Sequence, residues 1–63
     1  MTIAIDYDLP TQMKCVEREI GMRLAVYARR VADGKMKQDK ADQEIACMQA
    51  VLESLHRLKE LEK

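Results

Sequence analysis

The chain has no phenylalanine and no tryptophan, and only two glycines, one proline, one histidine and two cysteines in 63 residues. Each shortage closes a route. Aromatic packing is limited to Tyr7 and Tyr27. Two glycines cannot build a glycine-rich phosphate loop. One histidine and two cysteines do not make a metal framework. A cysteine nucleophile needs a base and a pocket, and His56 is the sole imidazole. No carboxylate pair stands out for acid–base work, because Glu17, Glu19, Glu53, Glu60 and Glu62 sit at positions of solvated helix charges. No apolar run approaches the ~20 residues that cross a membrane. The start, Met1-Thr2-Ile3-Ala4-Ile5 followed by Asp6, has no basic leader pattern. Lys/Arg and Asp/Glu balance at eleven each. The expectation is a cytoplasmic protein that is not an enzyme, holds no cofactor or metal, and does not enter a membrane.

What is present is an apolar stripe at helical spacing, broken once at a glycine. Leu9, Met13, Val16, Ile20, Leu24, Tyr27 and Val31 are spaced 4, 3, 4, 4, 3, 4. After Asp33-Gly34-Lys35, Ala41, Ile45, Met48, Leu52 and Leu55 are spaced 4, 3, 4, 3. This predicts an all-α fold: a two-helix antiparallel hairpin, with helices over about 9–32 and 38–62. Asp8 is a plausible N-cap, with Thr11 as competitor, and Pro10 falls in the first turn, where a missing N–H costs nothing. Arg29 and Arg30 complement the negative end of helix one, and Gly34 suits the left-handed residue beyond it. The start of helix two is poorly specified, because Lys37 is a weak cap.

Residues 1–8 form a separate N-terminal arm before the hairpin domain of 9–63. Ile3, Ile5 and Tyr7 alternate with polar and small residues, a period of two. Both a frayed tail and a short strand that packs on a partner fit this pattern.

A chain of this size is marginal alone, because apolar burial barely offsets the entropy of ordering it. A disulfide within the chain does not fit. With Val31 facing roughly Ala41, Cys15 lies opposite about position 57, and Cys47 is displaced from it by roughly 15 Å at helical rise. Bridged Cα atoms lie within about 7 Å. Free thiols suit a reducing cytoplasm, and oligomerisation remains as the stabilising device. The sequence also supplies surface for it. Cys15, Met22 and Val26 form a patch on helix one away from the main stripe. Cys47, Val51, Ser54, Leu58 and Leu61 repeat beside the main stripe of helix two. That makes the apolar arc of helix two wider than the ~100° one packing partner requires. A homodimer of hairpins forming a four-helix bundle accounts for it. A docking surface for a different protein and tolerated exposure are the alternatives.

The best polar signal is a basic cluster at the turn: Arg29, Arg30, Lys35, Lys37 and Lys40, against Asp33 and Asp39. Such a cluster is a candidate phosphate contact. No aromatic stacking residue interrupts it, and solvated helix ends explain it equally well. The five methionines suit adaptable packing at helix interfaces.

The stretch Glu17-Arg18-Glu19-Ile20-Gly21-Met22-Arg23, then Val26-Tyr27, Val31, Gly34-Lys35-Met36, and Lys40-Ala41-Asp42-Gln43-Glu44-Ile45-Ala46 with Met48 resembles small uncharacterised proteins of bacteriophages and prophages of Gram-negative bacteria. Their pattern is E-R-E-x-x-M-R, V-Y-P-x-W-V, G-K/R-M and K-A-D-x-E-I-A-x-M, and it covers about residues 17–48 here. This chain departs from it at Ala28, where the pattern has Pro, and at Arg30, where it has Trp. Without Pro, helix one is expected to run unbroken through position 28. The resemblance implies a small accessory protein that binds and modulates a host or phage protein. Length and topology also resemble the plasmid RNA-binding regulator Rop, a helical-hairpin dimer. That likeness carries no function by itself, and it frames the alternative of a nucleic-acid-binding hairpin dimer.

Overall fold

The computed structural model describes residues 7–62. They form two α-helices of 24 residues each, α1 (Leu9–Ala32) and α2 (Gln38–Leu61). No strand occurs among the described residues. Ile3 and Ile5 of the arm lie outside the described residues. Tyr7 lies inside them and is exposed.

The local chemistry explains the helix ends. Asp8 is the N-cap of α1, in extended conformation (φ −72°, ψ 167°), and its Oδ1 accepts from the Thr11 N–H at 3.0 Å. Thr11 is therefore the donor to the cap rather than the cap itself. Pro10 occupies the first turn, where no intrahelical partner for its N–H is needed. The Gln12 side chain ties the preceding chain down by donating to the Tyr7 carbonyl at 2.8 Å. At the other end, the Lys35 N–H reaches the Arg30 carbonyl at 2.8 Å and the Gly34 N–H reaches Val31 at 3.0 Å. This pair of bonds is a Schellman closure. It requires the left-handed φ of +72° found at Gly34, a conformation that costs other residues about 1–2 kcal/mol. α1 is continuous through Ala28.

α2 begins less firmly. Lys37 is its N-cap and makes no side-chain capping bond. Asp39, in the first turn, bonds only the adjacent Lys40 N–H at 3.0 Å. The helix ends at Leu61, with Glu62 as C-cap.

The helices pack antiparallel through a narrow seam. Met13, Ile20 and Ala41 are buried, at 6%, 9% and 4% exposure. Leu9, Val16, Tyr27, Val31, Ile45, Met48, Leu52 and Leu55 are half-buried around them. Leu24 departs from its expected place in this core: it is 51% exposed. The cause is angular. The steps Val16 to Ile20 and Ile20 to Leu24 are both four residues, and each advances the side chain by about 40° around the helix. Two in succession carry Leu24 past the edge of what one partner helix covers. It lines a small groove on that flank with Tyr27, Ala28 and Val31 and, from α2, Gln38 and Ala41.

Candidate interaction face

The second apolar sets of the two helices approach each other where Cys15 of α1 and Val51 of α2 border the same groove. On α1, Met22 lies seven residues after Cys15 and Val26 four after Met22, so all three project within about 40° of one another. On α2, Val51 and Leu58 are seven apart, with Cys47 one turn earlier. Cys15 and Val16 from α1 and Val51 and Leu55 from α2 line a single shallow groove of about 750 Å³, together with Tyr7 and the polar Thr11, Gln12, Lys14 and Arg18. Farther toward the turn, Met22 and Val26 border a smaller depression with Glu19 and Arg23. Met22, Val26, Val51, Leu58 and Leu61 are each between 44% and 80% exposed, and Cys15 and Cys47 are exposed free thiols. Among the described residues, no third element covers them.

A polar strip crosses this face near its middle. Arg23 Nη1 donates to the Tyr27 hydroxyl at 3.3 Å, and Arg23 Nε lies 3.7 Å from Glu19 Oε2. The Tyr27 hydroxyl first, and then the charges of Glu19 and Glu44, hold the guanidinium above its ordinary range. Arg23 Nε itself is buried without a hydrogen-bond partner. Glu44, on α2, pairs with Lys40. Sequence reasoning missed the cluster. Its signal was the i, i+4 spacing of Glu19, Arg23 and Tyr27, which sets neighbouring side chains on one helix surface.

The basic cluster is equally definite. Arg29, Arg30, Lys35, Lys37 and Lys40 are all exposed around the turn. Lys40 pairs with Glu44 at 3.2 Å. Among the described residues, the other four make no ion pair. At the far end of α2, Arg57 pairs with Glu53 at 2.8 Å on the solvated side, a contact of little energetic weight. His56 is exposed. Among the described residues, no group of acidic, histidine and cysteine side chains is arranged to hold a metal, and no helix is long and apolar enough to cross a membrane.

No protein-family model, curated protein or solved structure matches the chain.

Proposed function

We propose that this protein is a small interaction module that works as a homodimer, two hairpins packing into a four-helix bundle. The observation that carries the proposal is the uncovered apolar surface: Cys15, Met22, Val26, Cys47, Val51, Leu58 and Leu61 are all exposed on one chain. Fully burying a Val, Leu or Met side chain contributes about 1.5–3 kcal/mol. Leaving five such side chains half wet forgoes several kcal/mol that a hairpin with three buried residues among those described, Met13, Ile20 and Ala41, has few other ways to obtain. The assembled bundle would act sterically, presenting rigid helical surface and the N-terminal arm to a partner protein. The pattern over residues 17–48 suggests the setting, a phage or prophage accessory factor that modulates a host or phage protein. Native molar mass by light scattering over a concentration series tests the assembly. Twice the 7.3 kDa chain mass, stable on dilution, is expected. A folded monomer at every concentration refutes it.

A second reading is favoured by one observation, the four turn cations that have no ion-pair partner among the described residues. They suit phosphate contacts of a nucleic-acid-binding hairpin dimer. Counterion release would make such binding fall steeply with salt. Arg29→Glu with Lys35→Glu would abolish it and leave the helix content unchanged.

A further inference from the structure

We infer that the occupant of the apolar face is a second copy of this chain laid in the opposite direction, so that the turn of each hairpin lies over the open end of the other. The inference rests on the homodimer proposed above and adds its orientation. Two layers of helices can stack face to face about a two-fold axis in two ways. An axis along the helices puts both turns at the same end and stacks α1 on α2. An axis across the helices puts the turns at opposite ends and stacks each helix on its own copy, antiparallel.

Charge separates the two arrangements. The turn end, residues 29–40, carries five cations against Asp33 and Asp39. The open end, among the described residues, carries Asp8, Glu60 and Glu62 against Lys59. These charges also point along the apolar face. Arg30 lies four residues after Val26, and Lys40 lies seven before Cys47. At the open end, Asp8 lies seven before Cys15 and Glu62 four after Leu58. All four are exposed. Turns at the same end would set one cationic cluster over another. Turns at opposite ends set each cationic cluster over the acidic end of its copy, and complementary potentials fix orientation more strongly than they add affinity.

The apolar residues fit the crossed axis as well. Met22 and Val51 are each the fourteenth residue of their 24-residue helices. An axis through the middle of the hairpin therefore puts the two copies of Val51 within about 5 Å of each other along the helix direction. The two copies of Leu58 are then roughly 25 Å apart along the same direction. In the same-end arrangement the two α2 helices are diagonal to one another, and neither pair meets.

Single cysteines test this in the full chain. In a background of Cys15→Ser and Cys47→Ser, Val51→Cys and Leu58→Cys are treated with a short bis-maleimide and run on a denaturing gel, with native mass measured in parallel. The expected result is a covalent dimer from Val51→Cys and almost none from Leu58→Cys. A native dimer in which Val51→Cys does not cross-link, or in which Leu58→Cys cross-links as well, overturns the orientation and leaves self-association standing. A monomer in the unsubstituted background overturns both. Charge gives an independent sign. Arg30→Glu with Lys37→Glu weakens an opposite-end dimer by about tenfold at low salt, whereas it would tighten a same-end dimer by relieving repulsion.

Discussion

Placing carboxylates on the apolar face should separate the two chains. Val51 is 44% exposed and Leu58 50% exposed in the single hairpin, so dimerisation has about half of each side chain left to cover. At about 1.5–3 kcal/mol for full burial, half is about 0.7–1.5 kcal/mol per side chain, and the four copies in a dimer give about 3–6 kcal/mol. At about 1.4 kcal/mol per tenfold, Val51→Glu with Leu58→Glu raises the dissociation constant by at least about a hundredfold and up to about ten-thousandfold. Four carboxylates facing an apolar seam push in the same direction. Sedimentation equilibrium reads the mass, and far-UV circular dichroism on the same samples reads the helix content. The expected variant sediments at the chain mass of 7.3 kDa at concentrations where the parent is a dimer. Its helicity falls as well, because a seam of this size holds the hairpin weakly without its copy. An oligomer of unchanged mass with full helicity would refute the assignment of this face.

Three smaller perturbations probe the ends of the helices. Gly34→Ala meets no atom within 4 Å, so its cost is conformational: about 1–2 kcal/mol for a left-handed alanine, read as a fall of several degrees in melting temperature. Unchanged stability would mean that the Schellman closure has relaxed. Lys37→Ser supplies the capping side chain that α2 lacks, in a backbone already extended (φ −79°, ψ 144°). It is expected to stabilise by about 1 kcal/mol, or about 4–8 °C in a domain this small, and a lowered melting temperature would contradict the capping argument. Hydrogen bonds from Thr11, through its hydroxyl and its backbone N–H, hold the Asp8 carboxyl below its ordinary value of 3.8. A depressed folded value means that this contribution is complete above that ordinary value and is lost as pH falls through the folded one. Asp8→Asn should therefore flatten the acid limb of a melting-temperature profile and leave the neutral range nearly level. An acid limb of unaltered slope would remove Asp8 from the account.

Much of the fold was legible because its punctuation is local. Asp8, Pro10 and Gly34 each act through one or two backbone bonds within five residues, so their meaning does not depend on what packs nearby. The wide apolar arc of α2 was legible for the same reason, as periodicity alone defines it. Leu24 was misjudged because a spacing of fours and threes is scored as a stripe, whereas burial depends on accumulated angle against one narrow partner. The Arg23 strip was missed because its charges were weighed singly. The charge of Glu44 comes from the opposite helix, and only packing brings it to bear on Arg23. That Cys15 and Val51 share one groove was likewise beyond the pattern of either helix.

The two sides of the turn are held unequally. The carboxyl end of α1 is tied by two backbone bonds across Gly34, while the amino end of α2 starts at Lys37 with no side chain over its amides. Opening should therefore start at Gln38 and run into α2, leaving α1 wound to Ala32. In native-state hydrogen exchange, the amides of Ala41 and Asp42 would exchange ahead of their counterparts Val31 and Ala32. Proteolysis follows the same order. Limited trypsin has Arg29, Arg30, Lys35, Lys37 and Lys40 to choose from within twelve residues, and its first cuts should fall after Lys37 and Lys40, nicking the hairpin into two helices of nearly equal length.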